Sequence, residues 1–388
     1  MSQLYTYKMP TELFFGRGAA MHTAEKVREL GSDNVVIVTD QGVYASGVLK
    51  TIEESLQAGN VTYSIYHDVE PEPTYKGVDE AVKLLKETKA TAVIGVGGGS
   101  SMDTAKNVAV MGTNEGKIFD YLGFGNIKNK PLPIIAVPTT AGTGSEVTFW
   151  AVVGDKEKDI KASVGGWEIM PDTAILDPEL TLSVPSHVTA ATGMDAFCHA
   201  MESYVSKATQ PVSEGLSYHA MRLIAGALRK AATRGDDIDA REDMLMGSLI
   251  AALAFNVGKL GLSHAFAMPL GAKYKIPHGM VNAIMLPWVM EYNLPAATEK
   301  YIEVAKLLGE HVEGLSPMEA AAKSVEAVKR LNADIGITQG LKDWGVKEEE
   351  LLEIAQKAYQ SGNIYSNPRS SRVEDLVEIA KKAMKGLR

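Results

Sequence analysis

Thiols are nearly absent. Cys198 is the one cysteine in 388 residues, so no internal disulfide can form and a reducing compartment is expected. Long apolar runs are missing too: nothing approaches the ~20 consecutive residues a bilayer-spanning helix needs, and no membrane attachment is expected. Positive charge is in deficit, 39 Lys and Arg against 48 Asp and Glu for a net −9. That balance argues against general nucleic-acid binding, which requires a basic surface to displace phosphate counterions. Met1 to Pro10 is polar and interrupted, unlike a secretory signal, and a cytoplasmic location is expected. No long biased tract suggests disorder or a fibrous repeat.

What is present is enough chain for more than one core. A single hydrophobic core stops growing at roughly 250 to 300 residues, so two domains are expected, 1–184 and 185–388. The first half alternates. Tyr5 to Pro10 and Thr11 to Gly16 read as short edge strands, Asn34 to Asp40, Val61 to Tyr66, Thr91 to Gly97, Pro133 to Pro138 and Thr173 to Asp177 as further strands, and Ala19 to Leu30, Val48 to Leu56 and Lys76 to Thr88 as helices. Strands alternating with helices imply an α/β domain with a largely parallel sheet, which binds ligands beyond the carboxyl ends of its strands. After Val184 the strand signal stops and an all-α half follows, helix upon helix from Val188 to Leu387. The amino-terminal edge strands suit pairing across a two-fold, and a homodimer or higher homo-oligomer is expected.

Two loops fall where an α/β sheet takes ligands. Gly97-Gly98-Gly99-Ser100-Ser101-Met102-Asp103-Thr104-Ala105-Lys106 runs from a strand through three glycines into a helix start. Glycines let backbone amides approach an anion, and the helix amino terminus favours negative charge; the same letters also describe a turn for tight helix packing. Ser100 and Asp103 have the spacing of a capping pair. Pro138 to Thr148 follows another strand with hydroxyls and glycines, suited to phosphate or ribose and equally to ordinary turn chemistry. Two such loops on one sheet favour a nucleotide. Asp40, at a strand end, can accept from a ribose hydroxyl and would repel a 2′-phosphate, or can simply cap a helix.

In the helical half, Asp195 and His199 stand four apart in Gly193 to Glu202, one turn apart on one helix face. His264 and His278 flank a segment containing Pro269, Gly271 and Pro277, so they are not expected to share a helix. One carboxylate and three imidazoles form a set suited to Fe(II) or Zn(II). Each histidine alone reads more simply as a helix residue with a satisfied side chain. Cys198 is expected to point away from the Asp195 and His199 face, into the core.

Taken in order, Gly97 to Lys106, Pro138 to Thr148, Gly193 to Glu202, Gly261 to Gly279 and Asn367-Pro368-Arg369 resemble the iron-containing (group III) alcohol dehydrogenases over nearly the whole chain. The resemblance implies a Rossmann-like dinucleotide-binding domain followed by a helical metal- and substrate-binding domain. It also implies NAD(H) and a divalent metal, typically Fe(II) with Zn(II) as the other candidate, facing each other in a cleft. By position, the metal ligands look like Asp195, His199, His264 and His278, which would act on the substrate through the metal. The pyrophosphate would lie on Gly97, Gly98, Gly99 and Ser100 with Asp103 at the same site. Thr139, Thr140 and Thr143 match positions facing the phosphates or the nicotinamide ribose, Lys161 matches a lysine reaching the ribose, and Asp40 matches the acidic residue of NAD(H) preference. The expected reaction interconverts a small primary alcohol and its aldehyde.

One departure concerns proton transfer. Many relatives carry a histidine where this chain has Met268, and a thioether does neither acid nor base work. Lys259 and Lys273 stand near the histidines; facing the site they would favour an anionic aldehyde, and facing water they would carry no such meaning, which is the expectation here. Two alternatives stand beside the dehydrogenase. One is a dehydroquinate-synthase-like lyase using NAD transiently with Zn(II), for which the basic cluster is missing. The other is a nucleotide and metal sensor without turnover, which the loss of a histidine at Met268 would suit.

Overall fold

A computed structural model describes residues 4–155, 157 and 160–387. Among the described residues the strands are β1 (Glu12–Phe15), β2 (Asn34–Val38), β3 (Thr62–Tyr66), β4 (Ala92–Gly97), β5 (Gly123–Phe124), β6 (Ile134–Pro138), β7 (Trp150–Asp155), β8 (Ile160–Gly165) and β9 (Thr173–Leu176). The chain forms two compact units, Lys8–Val184 and Pro185–Arg388, the second joined by the amino-terminal segment up to Tyr7.

The first unit is built on a six-stranded sheet of order β1-β9-β6-β4-β2-β3, parallel at every pairing. The β-branched run of β2 shows why both faces must be covered. Val35 and Ile37 enter one buried cluster with Ile94, Val96, Ile135 and Val137, while Val36 and Val38 enter another with Val93 and Ile134. Alternate residues of a strand point to opposite faces, so near-continuous apolar strands demand helices on both sides. Register brings Val38 opposite Gly95 and Gly97 opposite Pro138. The segments after β2, β4 and β6 therefore leave the same edge of the sheet side by side, and the order reverses between β2 and β4, the kind of switch point where such sheets take ligands.

A smaller sheet, β5-β8-β7, was not expected. Its core is the antiparallel pair β7–β8, Trp150 opposite Gly165 through Asp155 opposite Ile160. A side chain at Gly165 would run into the Trp150 ring, so glycine is what lets the indole lie across the pair. The strand expected over Tyr5 to Pro10 does not form. Pro10 has no amide to give a ladder, and the segment is tied instead by Tyr7 Oη donating to Leu253 O (3.3 Å) and Gln210 Nε2 donating to Thr6 O (3.3 Å).

The second unit is helical, and among the described residues it holds no strand. Three of its helices matter most here: Ser186–Val205, Leu262–Tyr274 and His278–Asn293. Pro269 and Gly271 lie inside the second of these, and the break falls at Lys275 to Pro277. Pro269 thus removes one hydrogen bond without ending the helix, whose side chains Leu262, Phe266 and Leu270 are packed in a buried cluster with Val281, Met285 and Leu376. Tertiary burial outweighs the local cost of proline. Among the described residues, no single helix is long and apolar enough to cross a membrane.

Gly279 fixes how closely the third helix approaches the first. A methyl group there would run into the carbonyl oxygen of Ala191 and lie 3.2 Å from Asp195 Cβ. Gly226, in the Pro211–Thr233 helix, has open space instead. Gly279→Ala is expected to cost about 1–3 kcal/mol through overpacking, and Gly226→Ala to stabilise by up to about 1 kcal/mol through helix propensity. Chemical denaturation of the two variants distinguishes this close approach from a generic effect of adding a methyl group.

Candidate functional site

In the helical unit, Asp195, His199 and Glu202 follow one another at intervals of four and three along Ser186–Val205, a spacing that keeps them on one face. His264 lies in the first turn of Leu262–Tyr274 and His278 is the first residue of His278–Asn293. One ligand atom from each of Asp195, His199, His264 and His278 lies within 4.8 Å of the others, so the four residues named from the sequence are brought together. Asp195, His199 and His264 are buried, whereas the His278 side chain is 42% exposed. The cluster is therefore approached from the His278 side.

The electrostatics of this cluster ask for a cation. Burial alone would raise the Asp195 carboxyl, but His199, His278 and His264 around it hold it well below the usual carboxylate range. His199 is pushed down to about 4 by burial, and its Nδ1 is buried with no hydrogen-bond partner. Its ring stacks on His264 (centroids 4.6 Å apart) and packs against Phe255 (4.6 Å). For His264, burial is outweighed by Glu202 and Asp195, which hold its pKa well above the ordinary value; two carboxylates draw positive charge to this ring. The amide nitrogen of Asn282 stands 2.6 Å from Asp195 Oδ1, 3.0 Å from His264 Nε2 and 3.3 Å from His278 Nε2. Its two hydrogens cannot serve three atoms. A buried carboxylate with three imidazoles, one with an unmatched nitrogen, fits a divalent iron or zinc ion.

Sequence reasoning missed Glu202 and Asn282. Glu202 lies seven residues beyond Asp195 and Asn282 four beyond His278, so helical spacing from a ligand was the available signal. The expectation for Cys198 needs correction. It is buried, but its Sγ lies 3.9 Å from His264 Nδ1, because a helix three residues on from Asp195 has nearly completed a turn. Burial, with the Glu202 charge, pushes its thiol up to about 12, so it is not a thiolate at neutral pH. Met268, one turn after His264, is 38% exposed. Lys273 is paired with Glu350 (3.0 Å) and Glu353 (2.8 Å), and Lys259 Nζ donates to Asn256 O (3.2 Å).

In the α/β unit, close contacts leave no room for side chains at Gly97 and Gly99, while Gly98 lies in ordinary contact range. A Cβ at Gly97, whose φ is +144°, would meet Ser101 Oγ at 2.5 Å; one at Gly99 would meet Thr143 Cγ2 at 2.8 Å, and one at Gly98 would lie 3.4 Å from Thr140 Oγ1. Thr139 N donates to Gly97 O (3.0 Å). The glycine and threonine loops therefore touch, and the 15-residue helix Gly99–Thr113 starts between them. Asp40 caps Gln41–Ser46 by accepting from Val43 N (3.0 Å) and accepts from Ser101 Oγ (3.1 Å). The capping pair expected for Ser100 and Asp103 does not form. Gly98 is the cap residue, and Ser100 Oγ donates to Pro71 O (2.6 Å). Lys161 donates to Glu72 Oε1 (3.1 Å).

Asp103 instead organises the loop from beneath. Its two oxygens accept from Ser145 Oγ (2.5 Å) and Val152 N (2.9 Å). One turn on, the fully buried Lys106 donates to Ser145 Oγ (2.9 Å), Thr148 O (3.0 Å), Thr148 Oγ1 (3.2 Å) and Trp150 O (3.0 Å). Burial lowers Lys106 to about 8, and burial likewise raises nearby Glu146 to about 7. Aspartate and lysine on one helix face thus hold the threonine loop and β7 against the glycine helix.

Comparison with known proteins agrees with this architecture. Residues 10–178 match the model of the iron-containing alcohol dehydrogenases, and residues 189–384 that of the carboxyl-terminal domain of the Fe-containing alcohol dehydrogenase family. The chain is 40% identical over 384 residues to a 1,3-propanediol dehydrogenase of Klebsiella pneumoniae, covering 98% of this chain and 99% of that protein. It is 38% identical over 376 residues to an NAD-dependent methanol dehydrogenase of Bacillus methanolicus, covering 97% and 99%. A crystal structure of a 1,3-propanediol oxidoreductase superposes with a TM-score of 0.96 at 39% identity, over 98% of this chain and all of that one. The chain belongs to the iron-containing alcohol dehydrogenase family and is an oxidoreductase; these relatives are dehydrogenases, and the lyase alternative finds no support among them.

Lys106 Nζ also lies 3.9 Å from Asp103 Oδ1; Lys106→Met leaves that carboxylate without its cation and four oxygens without their donor, and a loss of about 3 kcal/mol is expected. Lys106→Met with Asp103→Asn should recover part of that loss. Thermal unfolding of both, with iron content measured alongside, checks the assignment; iron content should hold, because Lys106 belongs to the unit without the histidine cluster.

Proposed function

We infer that this enzyme interconverts a small primary alcohol and its aldehyde with NAD(H), with iron held by Asp195, His199, His264 and His278. The observation that carries the inference is the convergence of one buried carboxylate and three imidazoles, open at His278, in a chain that also carries the glycine and threonine loops on a parallel sheet. Iron, when bound, supplies Lewis acidity toward an alcohol or carbonyl oxygen, and NAD(H) supplies or accepts the hydride.

The chain's own residues do the rest. Asp195 lowers the net positive charge of the site relative to three imidazoles alone, which moderates how strongly an alkoxide would be retained. His199, stacked between His264 and Phe255, has little freedom to turn. Gly97, Gly98, Gly99 and Ser100 present the start of the Gly99–Thr113 helix to the pyrophosphate, and Thr139, Thr140 and Thr143 offer hydroxyls beside it. Asp40 disfavours a 2′-phosphate and Lys161 serves the ribose; Asp103 acts from underneath, through Ser145. Met268 is exposed and a thioether cannot relay a proton, so the proton route runs through water or a ribose hydroxyl. The paired charge of Lys273 favours neutral over anionic substrates at that position. The relatives named as methanol and 1,3-propanediol dehydrogenases support short, unbranched alcohols as the substrate class, in a cytoplasmic enzyme that assembles as a homodimer or larger homo-oligomer.

An anaerobic panel of neutral and anionic aldehydes on iron- and zinc-loaded protein tests this. NADH is expected to be consumed in equal amount with short neutral aldehydes, and NADPH poorly. Asp40→Asn keeps a helix cap while removing the charge, and should raise the NADPH to NADH ratio of kcat/KM at least roughly tenfold, about 1.4 kcal/mol. NADH that binds but is consumed with no aldehyde would favour a non-catalytic relative and overturn the inference.

A further inference from the structure

We propose that Glu202 is a positioning residue that makes His264 a metal ligand by fixing which ring nitrogen carries the proton. The proposal rests on the iron site inferred above and adds to it. Glu202 is buried, and both of its oxygens are engaged: Oε1 accepts from Ser263 N (2.6 Å), while Oε2 accepts from Gly261 N (2.8 Å) and lies 2.7 Å from His264 Nδ1. Two of these partners are backbone amides at the start of Leu262–Tyr274, which can only donate and have no partner within their own helix. The helix start also favours a negative charge.

With both oxygens already accepting from backbone amides, the carboxylate meets the ring as an acceptor, and His264 Nδ1 is the donor. A metal can bind this ring only in its neutral form, which has one donor and one acceptor nitrogen; with Nδ1 as the donor, Nε2 is left as the acceptor. Nε2 is the atom 3.7 Å from Asp195 Oδ1 and 3.0 Å from Asn282 Nδ2, inside the cluster. Glutamine would reverse this outcome. Its single oxygen cannot serve both backbone amides and the ring, and an amide NH2 turned toward Nδ1 needs an acceptor there. The ring proton would move to Nε2 and occupy the lone pair a metal requires. With Asp195, Glu202 also brings the negative charge beside a divalent ion to two.

The surroundings hold Glu202 in place. A Cβ at Gly261 would lie 3.1 Å from both Glu202 Oε1 and Asn367 Oδ1. Asn367 in turn makes a reciprocal pair with Asn293 (2.9 and 2.8 Å). Asn367 thus lies across Gly261 from the carboxylate.

The test uses the full-length protein. Iron affinity is measured anaerobically by chelator competition for the native chain and Glu202→Gln, with NADH affinity and apo-protein melting temperature alongside. Iron affinity is expected to fall roughly 10- to 100-fold with NADH affinity unchanged; an unchanged iron affinity overturns the proposal. If Glu202→Gln does not fold, nitrogen NMR of the native zinc-loaded protein decides. A protonated Nδ1 and unprotonated Nε2 on His264 support the proposal, and the reverse overturns it. A native chain that takes up neither iron nor zinc overturns the site itself, and is distinguishable from a native chain and variant that bind equally.

Discussion

Asp195 is a carboxylate buried among three imidazoles, and much of the helical unit is arranged around keeping charge at that point. Burying an ionised group is costly unless it is paired and hydrogen-bonded. Here the pairing is supplied from three helices, and each needs its own device to come close enough. Gly279 brings the His278 helix against Ala191. Gly261 leaves room for Glu202, whose carboxylate holds the first amides of the His264 helix. Asn282 donates to Asp195 from within the ring. A side chain at Gly279 would meet the Ala191 carbonyl, and one at Gly261 would press on Glu202.

The α/β unit solves a related problem with a cation. Lys106 is enclosed without an exposed atom, and four oxygens surround its ammonium. It and Asp103, one turn apart on one helix, fix the loop whose threonines are proposed to meet the cofactor. In the proposed cofactor site the motif Gly97 to Lys106 divides its work: the glycines and Ser100 face the cofactor, while Asp103 and Lys106 support the loop from beneath.

Much of this was legible in the sequence, for identifiable reasons. The strands of the main sheet are β-branched runs bounded by glycine and proline, and their alternation with helices carries topology. The i, i+4 spacing of Asp195 and His199 fixed a face, and His264 and His278 could be joined to it only through motif order. What was not legible depended on tertiary packing. Pro269 sits inside a helix because the residues around it are buried. Tyr5 to Pro10 has strand composition but is bound sideways by Leu253 and Gln210. The β7–β8 pair depends on Trp150 lying over Gly165, a contact no local pattern announces. Motif position alone could not announce that the Asp103 oxygens also accept from Ser145 and Val152.

The account depends most directly on four residues sharing one ion. Anomalous scattering at the iron absorption edge, from crystals of anaerobically iron-loaded protein, tests that claim. A single strong peak about 2.0–2.2 Å from one atom each of Asp195, His199, His264 and His278 is expected. A peak centred on Cys198, Glu202 and His264 instead, or none within reach of Asp195, would contradict it.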